Sequence, residues 1–273
     1  MLIYFAMGYR NFLIFFSVFI LSGCDLIDYH PYDARVRTDT DINNKNIEEI
    51  ERICENKDTL RFVLMADSQR FYDETRDFVR HVNARGDVDF VIHGGDIADF
   101  GATLEFKWVH DIMSELDVPY VALIGNHDII GNGLYVYKEM YGELNFSFIA
   151  ARTKFLCLNT NALEFDYGEN VPDFNFIKSE QSADNGLYDR TIAVMHAKPK
   201  SDQFSNNVAD YFQYMLKQFK GLMFCLHSHD HSLQAVDIFE DGVMYYGCSC
   251  MKDRNYIFIE ITPEGYEYEV VYF

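Results

Sequence analysis

Five short segments of the sequence carry side chains of the kinds that bind divalent metal ions. Carboxylates, amide oxygens and imidazoles together suit divalent transition metals, whereas a single Asp or His is more often a cap, a turn residue or a packing residue. Each segment follows an apolar, strand-like run, so their joint occurrence indicates a metal centre. The segments are Asp67-Ser68-Gln69, Gly95-Asp96-Ile97-Ala98-Asp99, Gly125-Asn126-His127-Asp128, Met195-His196 and His229-Asp230-His231.

The elements before these segments alternate between strands and helices. Apolar runs predict strands over residues 60–65, 88–93 and 119–124, and helical spacing predicts helices over 73–85 and 104–116. This alternation is typical of βαβ units, which bind ligands at the carboxyl ends of their strands. The second half adds a helix over 208–219 and strands near 146–150, 154–158, 191–195, 222–226, 233–238, 243–246, 256–261 and 266–271.

Over about residues 60–273, the order of these segments resembles the calcineurin-like metallophosphoesterase superfamily. The motifs of that family are D-x-H, G-D-x-x-D, G-N-H-D/E, a lone H and G-H-x-H, and the second and third match without change. Gln69 stands where the first motif has His, and Ser228 stands where the last has Gly. The resemblance implies an α/β fold in which two mixed β-sheets pack as a sandwich flanked by helices.

The resemblance also implies a site with two metal ions that share one carboxylate, Asp96. His127 would face the substrate and stabilise or protonate the leaving group, and Asp128 would orient His127. Asp99 would support the site from behind. The remaining ligands would be Asp67, Gln69 and His231 for one ion, and Asn126, His196 and His229 for the other.

The activity that the resemblance implies is metal-dependent hydrolysis of a phosphodiester, a phosphomonoester or a nucleotide pyrophosphate. Two metal ions about 3.5–4 Å apart neutralise the phosphoryl oxygens and generate a hydroxide from water at neutral pH. The amide oxygen of Gln69 enriches the site in oxygen, which favours Mn²⁺, Fe²⁺ or Mg²⁺ over Zn²⁺. Two alternatives remain open: a catalytically weak or inactive binding lipoprotein with this fold, and a structural or adhesive role without metals. Residues 131–142 and 164–182 are predicted as loops that shape the substrate pocket.

The N-terminus has the pattern of a bacterial lipoprotein signal peptide. Arg10 precedes an almost wholly apolar run over residues 12–21, which is about half the length of a membrane-spanning helix. The run ends in Leu-Ser-Gly-Cys, which resembles a lipobox in which Cys24 is lipidated and becomes the mature N-terminus. An ordinary signal peptide or an uncleaved anchor, with an incidental cysteine, is the alternative.

The resulting domain prediction has three parts. Residues 1–23 form the signal peptide, residues 24–57 form a tether that ends in a short helix around Ile50, and residues 58–273 form the metallophosphoesterase domain. The protein is predicted to be a lipid-anchored membrane lipoprotein of the cell envelope, on its periplasmic or surface side.

The net charge of −20 argues against a nucleic-acid partner, because such proteins need basic patches that displace counterions. A small phosphorylated substrate is still compatible, because bound metal ions can reverse the local field. Five cysteines besides Cys24 cannot all pair within the chain, since their number is odd. Cys157 and Cys225 lie in apolar runs and are predicted as buried thiols. His93 and His227 are predicted as packing residues of strands.

Overall fold

Strands and helices alternate along the chain and build two mixed β-sheets. The computed structural model describes residues 33–166, 168–183 and 186–273. The strands are β1 (Leu60–Met65), β2 (Phe90–His93), β3 (Tyr120–Ala122), β4 (Phe146–Ala150), β5 (Thr153–Leu158), β6 (Arg190–Met195), β7 (Leu222–His227), β8 (Gln234–Val236), β9 (Met244–Gly247), β10 (Asn255–Thr262) and β11 (Gly265–Tyr272). The helices are α1 (Ile42–Cys54), α2 (Tyr72–Arg85), α3 (Thr103–Met113), α4 (Gly133–Tyr141), α5 (Phe174–Ser182) and α6 (Ala209–Leu216).

Each sheet combines parallel and antiparallel pairs. The first sheet has the strand order β11-β10-β1-β2-β3, and the second has the order β4-β5-β6-β7-β9-β8. In the first sheet β1, β2 and β3 are parallel, and in the second β5, β6, β7 and β9 are parallel. The carboxyl ends of the parallel strands within a sheet therefore lie on the same side.

The two sheets pack face to face around a shared apolar core. Phe62 and Phe90 stack on one sheet with ring centroids 5.3 Å apart, and Phe62 meets Phe155 of the other sheet edge-on at 5.1 Å. Alternate residues of the same strands, such as Val63 and Leu156, belong to two outer clusters that helices cover. Both faces of each parallel region are buried, which explains the continuous apolar runs. The predicted α/β sandwich is confirmed.

The helix pattern of α2 shows how a flanking helix attaches. Phe78, Val79 and Val82 are buried on one face, at the spacing that places side chains on the same side of a helix. The helix ends at Gly86, whose φ of 68° is the left-handed conformation that favours glycine. A helix of this kind covers the outer face of the first sheet.

The N-terminal segment differs from the predicted boundary at residue 58, because α1 packs onto the sandwich. Asn43 donates from its side-chain amide to Ala122 O and accepts from Ala122 N, both at 2.9 Å. Asn46 donates to Tyr120 O at 2.7 Å. These side-chain amides form hydrogen bonds with the backbone of β3, which is an edge strand of the first sheet. Ile50 of the same helix is fully buried. The predicted short helix exists, but it belongs to the compact unit that residues 34–273 form.

Residues 1–32 lie outside the described part of the chain, and this range contains the predicted signal peptide and Cys24. None of the described helices is long and apolar enough to cross a membrane.

The predicted pocket loops contain helices. Residues 131–142 are mostly α4, in which Tyr137 is fully buried and donates to Ala122 O at 2.7 Å. Residues 164–182 include α5, whose first turn is capped by the side chain of Asp173. Tyr137 and Tyr141 of α4 pack in the core, whereas Tyr135 of the same helix is exposed.

Candidate metal centre

The sequence-predicted ligands lie at strand ends. Asp67, Asp96 and Asn126 follow β1, β2 and β3 of the first sheet, and His196 and residues 229–231 follow β6 and β7 of the second sheet. Because the sheets face each other, these side chains converge. The convergence depends on the fold, since the residues span more than half of the chain.

Asp67, Asp96 and His196 form the centre of the cluster. Each offers an oxygen or nitrogen atom within 4.8 Å of the others, and all three are buried. His196 Nδ1 donates to Gly94 O at 2.9 Å, so Nε2 faces the cluster. Nε2 lies 3.5 Å from Asp96 Oδ1 and 3.1 Å from Asn126 Oδ1. Several acceptors thus converge on one place, which requires a positive charge there.

Asp67 and Gln69 supply the clearest sign of an unsatisfied cation site. Both carboxylate oxygens of Asp67 and the Oε1 atom of Gln69 are buried without a well-directed hydrogen bond. His231 Nε2 lies 3.2 Å from Asp67 Oδ1. A buried, unpaired carboxylate is costly unless a charge compensates it. The donor set, which is rich in oxygen and imidazole, therefore fits divalent metal ions.

The carboxylates give this pocket a negative potential. Burial raises the pKa of Asp67. Burial lowers the pKa of His196, but the Asp96 and Asp67 carboxylates outweigh it and raise the value to about 9. The Asp67 carboxylate likewise raises the pKa of His231 to about 10. In the metal-free protein, protons on these imidazoles balance the charge that a cation would otherwise balance.

Four of the predicted ligands have left-handed backbone conformations. The φ angles are 53° at Asp67, 57° at Asp96, 68° at His229 and 48° at His231. Such conformations cost on the order of 1–3 kcal/mol each in residues other than glycine, and they cluster at functional sites. The surrounding fold therefore holds these four side chains in positions that the local backbone disfavours.

His127 lies at the rim of the cluster with its side chain 33% exposed. Its backbone N–H donates to Asp96 Oδ1 at 2.9 Å, and Nδ1 donates to Asp99 O at 2.8 Å. The Asp99 carboxylate is 3.7 Å from Nδ1 and also accepts from Arg70 Nη2 at 2.5 Å. With Nδ1 occupied, Nε2 is the nitrogen that can face a substrate.

Asp128 has a different place from the one predicted. It was expected to orient His127, but its carboxylate accepts from the backbone N–H groups of Ala98 at 2.7 Å and Gly125 at 2.8 Å. Burial raises the pKa of Asp128 to about 7, and nearby Asp96 adds to the shift. In the structure Asp99 contacts the His127 ring, and Asp128 fixes the two loops behind it.

His229 contacts Asp202, a residue that the sequence motifs did not identify. Its ring centroid is 5.2 Å from that of His196, and its Nε2 atom is 2.8 Å from Asp202 Oδ1. Asp202 lies in the segment after β6, outside any of the predicted motifs. The only sequence signal was its place shortly after the lone histidine.

Ser228, which replaces the glycine of the last motif, contacts the cluster from behind. Its hydroxyl donates to Gly94 O at 2.6 Å and lies 3.0 Å from His196 Nδ1. Gly94 O therefore accepts hydrogen bonds from both the Ser228 hydroxyl and the His196 imidazole. The substitution is compatible with the predicted role of His196 as a metal ligand.

The other two histidines near the site are packing residues in the structure. His93 Nε2 lies 2.8 Å from Ser68 Oγ, and burial lowers the pKa of His93 to about 3. Burial also lowers the pKa of His227 to about 4. Both rings are therefore neutral at physiological pH and remain inside the fold.

The fold and the cluster agree with a family model for calcineurin-like phosphoesterases, which matches residues 60–233. The chain belongs to the calcineurin-like phosphoesterase family. No curated protein matches the chain.

Several solved structures have a similar fold. GAP50, the anchor in the inner membrane complex of Plasmodium, is 14% identical with a TM-score of 0.61, over 79% of this chain and 85% of that one. A dimetal phosphatase from Danio rerio is 14% identical with a TM-score of 0.57, over 78% and 98%. The purple acid phosphatase PPD1 from yellow lupin is 13% identical with a TM-score of 0.60, and the match covers 77% of this chain but 51% of that one. At these identities the likeness shows the fold alone.

Proposed function

We propose that this protein hydrolyses phosphoesters with a dinuclear metal centre. The observation that carries the proposal is the buried cluster of Asp67, Asp96 and His196, whose ligand atoms lie mutually within 4.8 Å. The Asp67 carboxylate and the Oε1 atom of Gln69 are buried beside it without a well-directed hydrogen bond. Family membership supports it, and so does the similarity of the fold to a dimetal phosphatase. The substrate class is a phosphodiester, a phosphomonoester or a nucleotide pyrophosphate.

The ligands would divide between two ions, with Asp96 contributing to both. Bound ions supply Lewis acidity, which polarises phosphoryl oxygens and lowers the pKa of a water nucleophile. Gln69 contributes an amide oxygen in place of an imidazole, so the set favours Mn²⁺, Fe²⁺ or Mg²⁺ over Zn²⁺. One ion would be held by Asp67, Gln69, Asp96 and His231, and the other by Asp96, Asn126, His196 and His229.

His127 would serve the leaving group. Its Nδ1 atom is held by Asp99 O, and its partial exposure lets Nε2 reach a substrate at the rim. A proton on Nε2 can then pass to the departing oxygen. General acid catalysis of this kind is worth about 10²–10⁴-fold in rate.

Metal removal and a substrate screen test the proposal. Purified protein is treated with a chelator, reloaded with Mn²⁺ and assayed on phosphate monoesters, diesters and nucleotide pyrophosphates. We expect hydrolysis of at least one class that chelation abolishes and Mn²⁺ restores. Wild-type protein that holds two metal equivalents but hydrolyses none of them would support the alternative, a binding lipoprotein. That alternative is motivated by the replacement of the first motif's histidine by Gln69 and by the anchor role of the similar Plasmodium protein.

We also propose that Cys24 is lipidated and anchors the protein to a membrane of the cell envelope. The support is the apolar run that ends in Leu-Ser-Gly-Cys. Cys24→Ala should release the protein from the membrane fraction and remove the mass of the lipid. A variant that keeps the same membrane partition and mature mass as wild type would refute the anchor.

A further inference from the structure

Asp202 and His229 meet although they lie in different loops. Asp202 is in the segment that follows β6, and His229 is in the segment that follows β7. The imidazole Nε2–H of His229 donates to Asp202 Oδ1 at 2.8 Å. A neutral imidazole has one N–H and one lone pair, so this bond places the lone pair on Nδ1. His229 is also next to His196, with ring centroids 5.2 Å apart.

The loop that carries Asp202 is held in place by other contacts. Asn206 donates from its side-chain amide to Ser201 O at 2.7 Å, and Lys200 N donates to Asn206 Oδ1 at 2.8 Å. Lys198 forms an ion pair with Asp230, the neighbour of His229, at 2.5 Å. These contacts fix the backbone of the loop, so the position of Asp202 next to His229 is set by the loop as well as by the Asp202 side chain.

We propose that Asp202 is a positioning residue for the metal centre. It holds His229 in the tautomer whose Nδ1 atom can bind a cation, and its charge makes the imidazole a stronger donor to that cation. Carboxylates that accept from the outer nitrogen of a metal-binding histidine typically contribute 10–100-fold to metal affinity. This inference rests on the proposed function, because it requires a metal at His229.

Exposure separates this role from a merely structural one. The side chain of Asp202 is 77% exposed, and exposed ion pairs contribute little to stability. Loss of the carboxylate should therefore leave the unfolding temperature of the metal-free protein nearly unchanged. A large change in metal affinity without a change in metal-free stability is the signature of positioning.

The test is calorimetric titration of Mn²⁺ into chelator-treated full-length protein. Asp202→Ala should weaken one of the two binding events about 10–100-fold and leave the other near the wild-type value. Asp202→Asn should lose less, because its amide oxygen can accept the same hydrogen bond. The matched control is Asp210→Ala, which removes another exposed carboxylate, 90% exposed and 3.8 Å from Lys200, and should bind Mn²⁺ like wild type.

The outcomes distinguish this inference from the proposed function. Two metals in the wild type with unchanged affinities in Asp202→Ala would overturn the positioning role alone. Equal losses in Asp202→Ala and Asp210→Ala would also overturn it, since general negative charge would then explain the effect. An Asp202→Asn variant as weak as Asp202→Ala would contradict the hydrogen bond as the cause. Wild-type protein that binds no metal would overturn both.

Discussion

His196 Nε2 lies 3.1 Å from Asn126 Oδ1, on the side of the ring opposite the Nδ1 atom that donates to Gly94 O. The two residues come from different sheets and are 70 positions apart. A bare imidazole nitrogen and an amide oxygen would repel each other at this distance, so a proton or a metal ion must lie between them. The Asp67 carboxylate is buried likewise and forms no well-directed hydrogen bond, with only the His231 ring 3.2 Å from its Oδ1 atom among the described residues. The sandwich therefore brings together acceptors that only a positive charge can stabilise.

His127→Ala should keep both metals and lose rate. The expected loss is about 10²–10⁴-fold for a substrate with an alkoxide leaving group, because that oxygen must be protonated as it departs. The loss should be much smaller for p-nitrophenyl esters, because their leaving group, p-nitrophenolate, departs without needing a proton. Rates on both substrates, with metal content determined in parallel, make the comparison. Equal losses on both would mean that His127 stabilises phosphoryl charge, and a loss of metal would mean that it is a ligand.

Asp128→Ala should destabilise the fold. Its carboxylate accepts from two buried backbone N–H groups, those of Ala98 and Gly125, and each group left unpaired costs about 1–3 kcal/mol. Urea unfolding measures the change in the free energy of unfolding. The control is Asp111→Ala, which removes an exposed ion pair with Lys107 and should change stability by about 0–1 kcal/mol. Similar values for the two variants would contradict the place of Asp128 in the structure.

Ile50→Ala tests whether α1 is part of the folded domain. Ile50 is fully buried, and truncation of such a residue costs about 2–5 kcal/mol. Glu48→Ala, on the exposed side of the same helix, should stay within about 0.5 kcal/mol of wild type. Chemical denaturation curves of both variants give the difference. If Ile50→Ala has the stability of wild type, the helix is a tether, as the sequence analysis predicted.

The strand ends and the five motifs could be predicted from sequence because apolar runs and ligand-type residues are adjacent along the chain. The contacts of α1 could not, because Asn43 pairs with Ala122, 79 positions away. Asp202 was missed for the same reason, since it meets His229 across 27 positions without a motif of its own. The contacts of Asp128 were predicted wrongly, because its position next to His127 in the chain does not reveal which way its side chain points.

The described cysteines should resist thiol reagents in the native protein. Cys54, Cys157, Cys225, Cys248 and Cys250 are free and buried, as predicted for Cys157 and Cys225. Burial raises the pKa of Cys54 and of Cys225 to about 12. Since the thiolate is the reactive form, its fraction at pH 8 is about 10⁻⁴ for such a thiol.

The reaction of the Cys24→Ala variant with an aromatic disulfide reagent, followed by absorbance, measures this directly. Labelling should be slow in buffer at pH 8 and fast in denaturant. Rapid labelling of several thiols in the native protein would contradict the buried positions.

Elemental analysis of wild type and Asp96→Asn shows whether two metal ions depend on Asp96, because Asp96 is the carboxylate assigned to both ions. Asp96 is buried within 4.8 Å of the ligand atoms of Asp67 and His196, and His196 opposes burial and lowers the pKa of Asp96 to about 2. Reloaded wild type should hold two Mn²⁺ equivalents, and Asp96→Asn should show reduced occupancy of both sites and no hydrolysis. Two full metal equivalents in Asp96→Asn would contradict it.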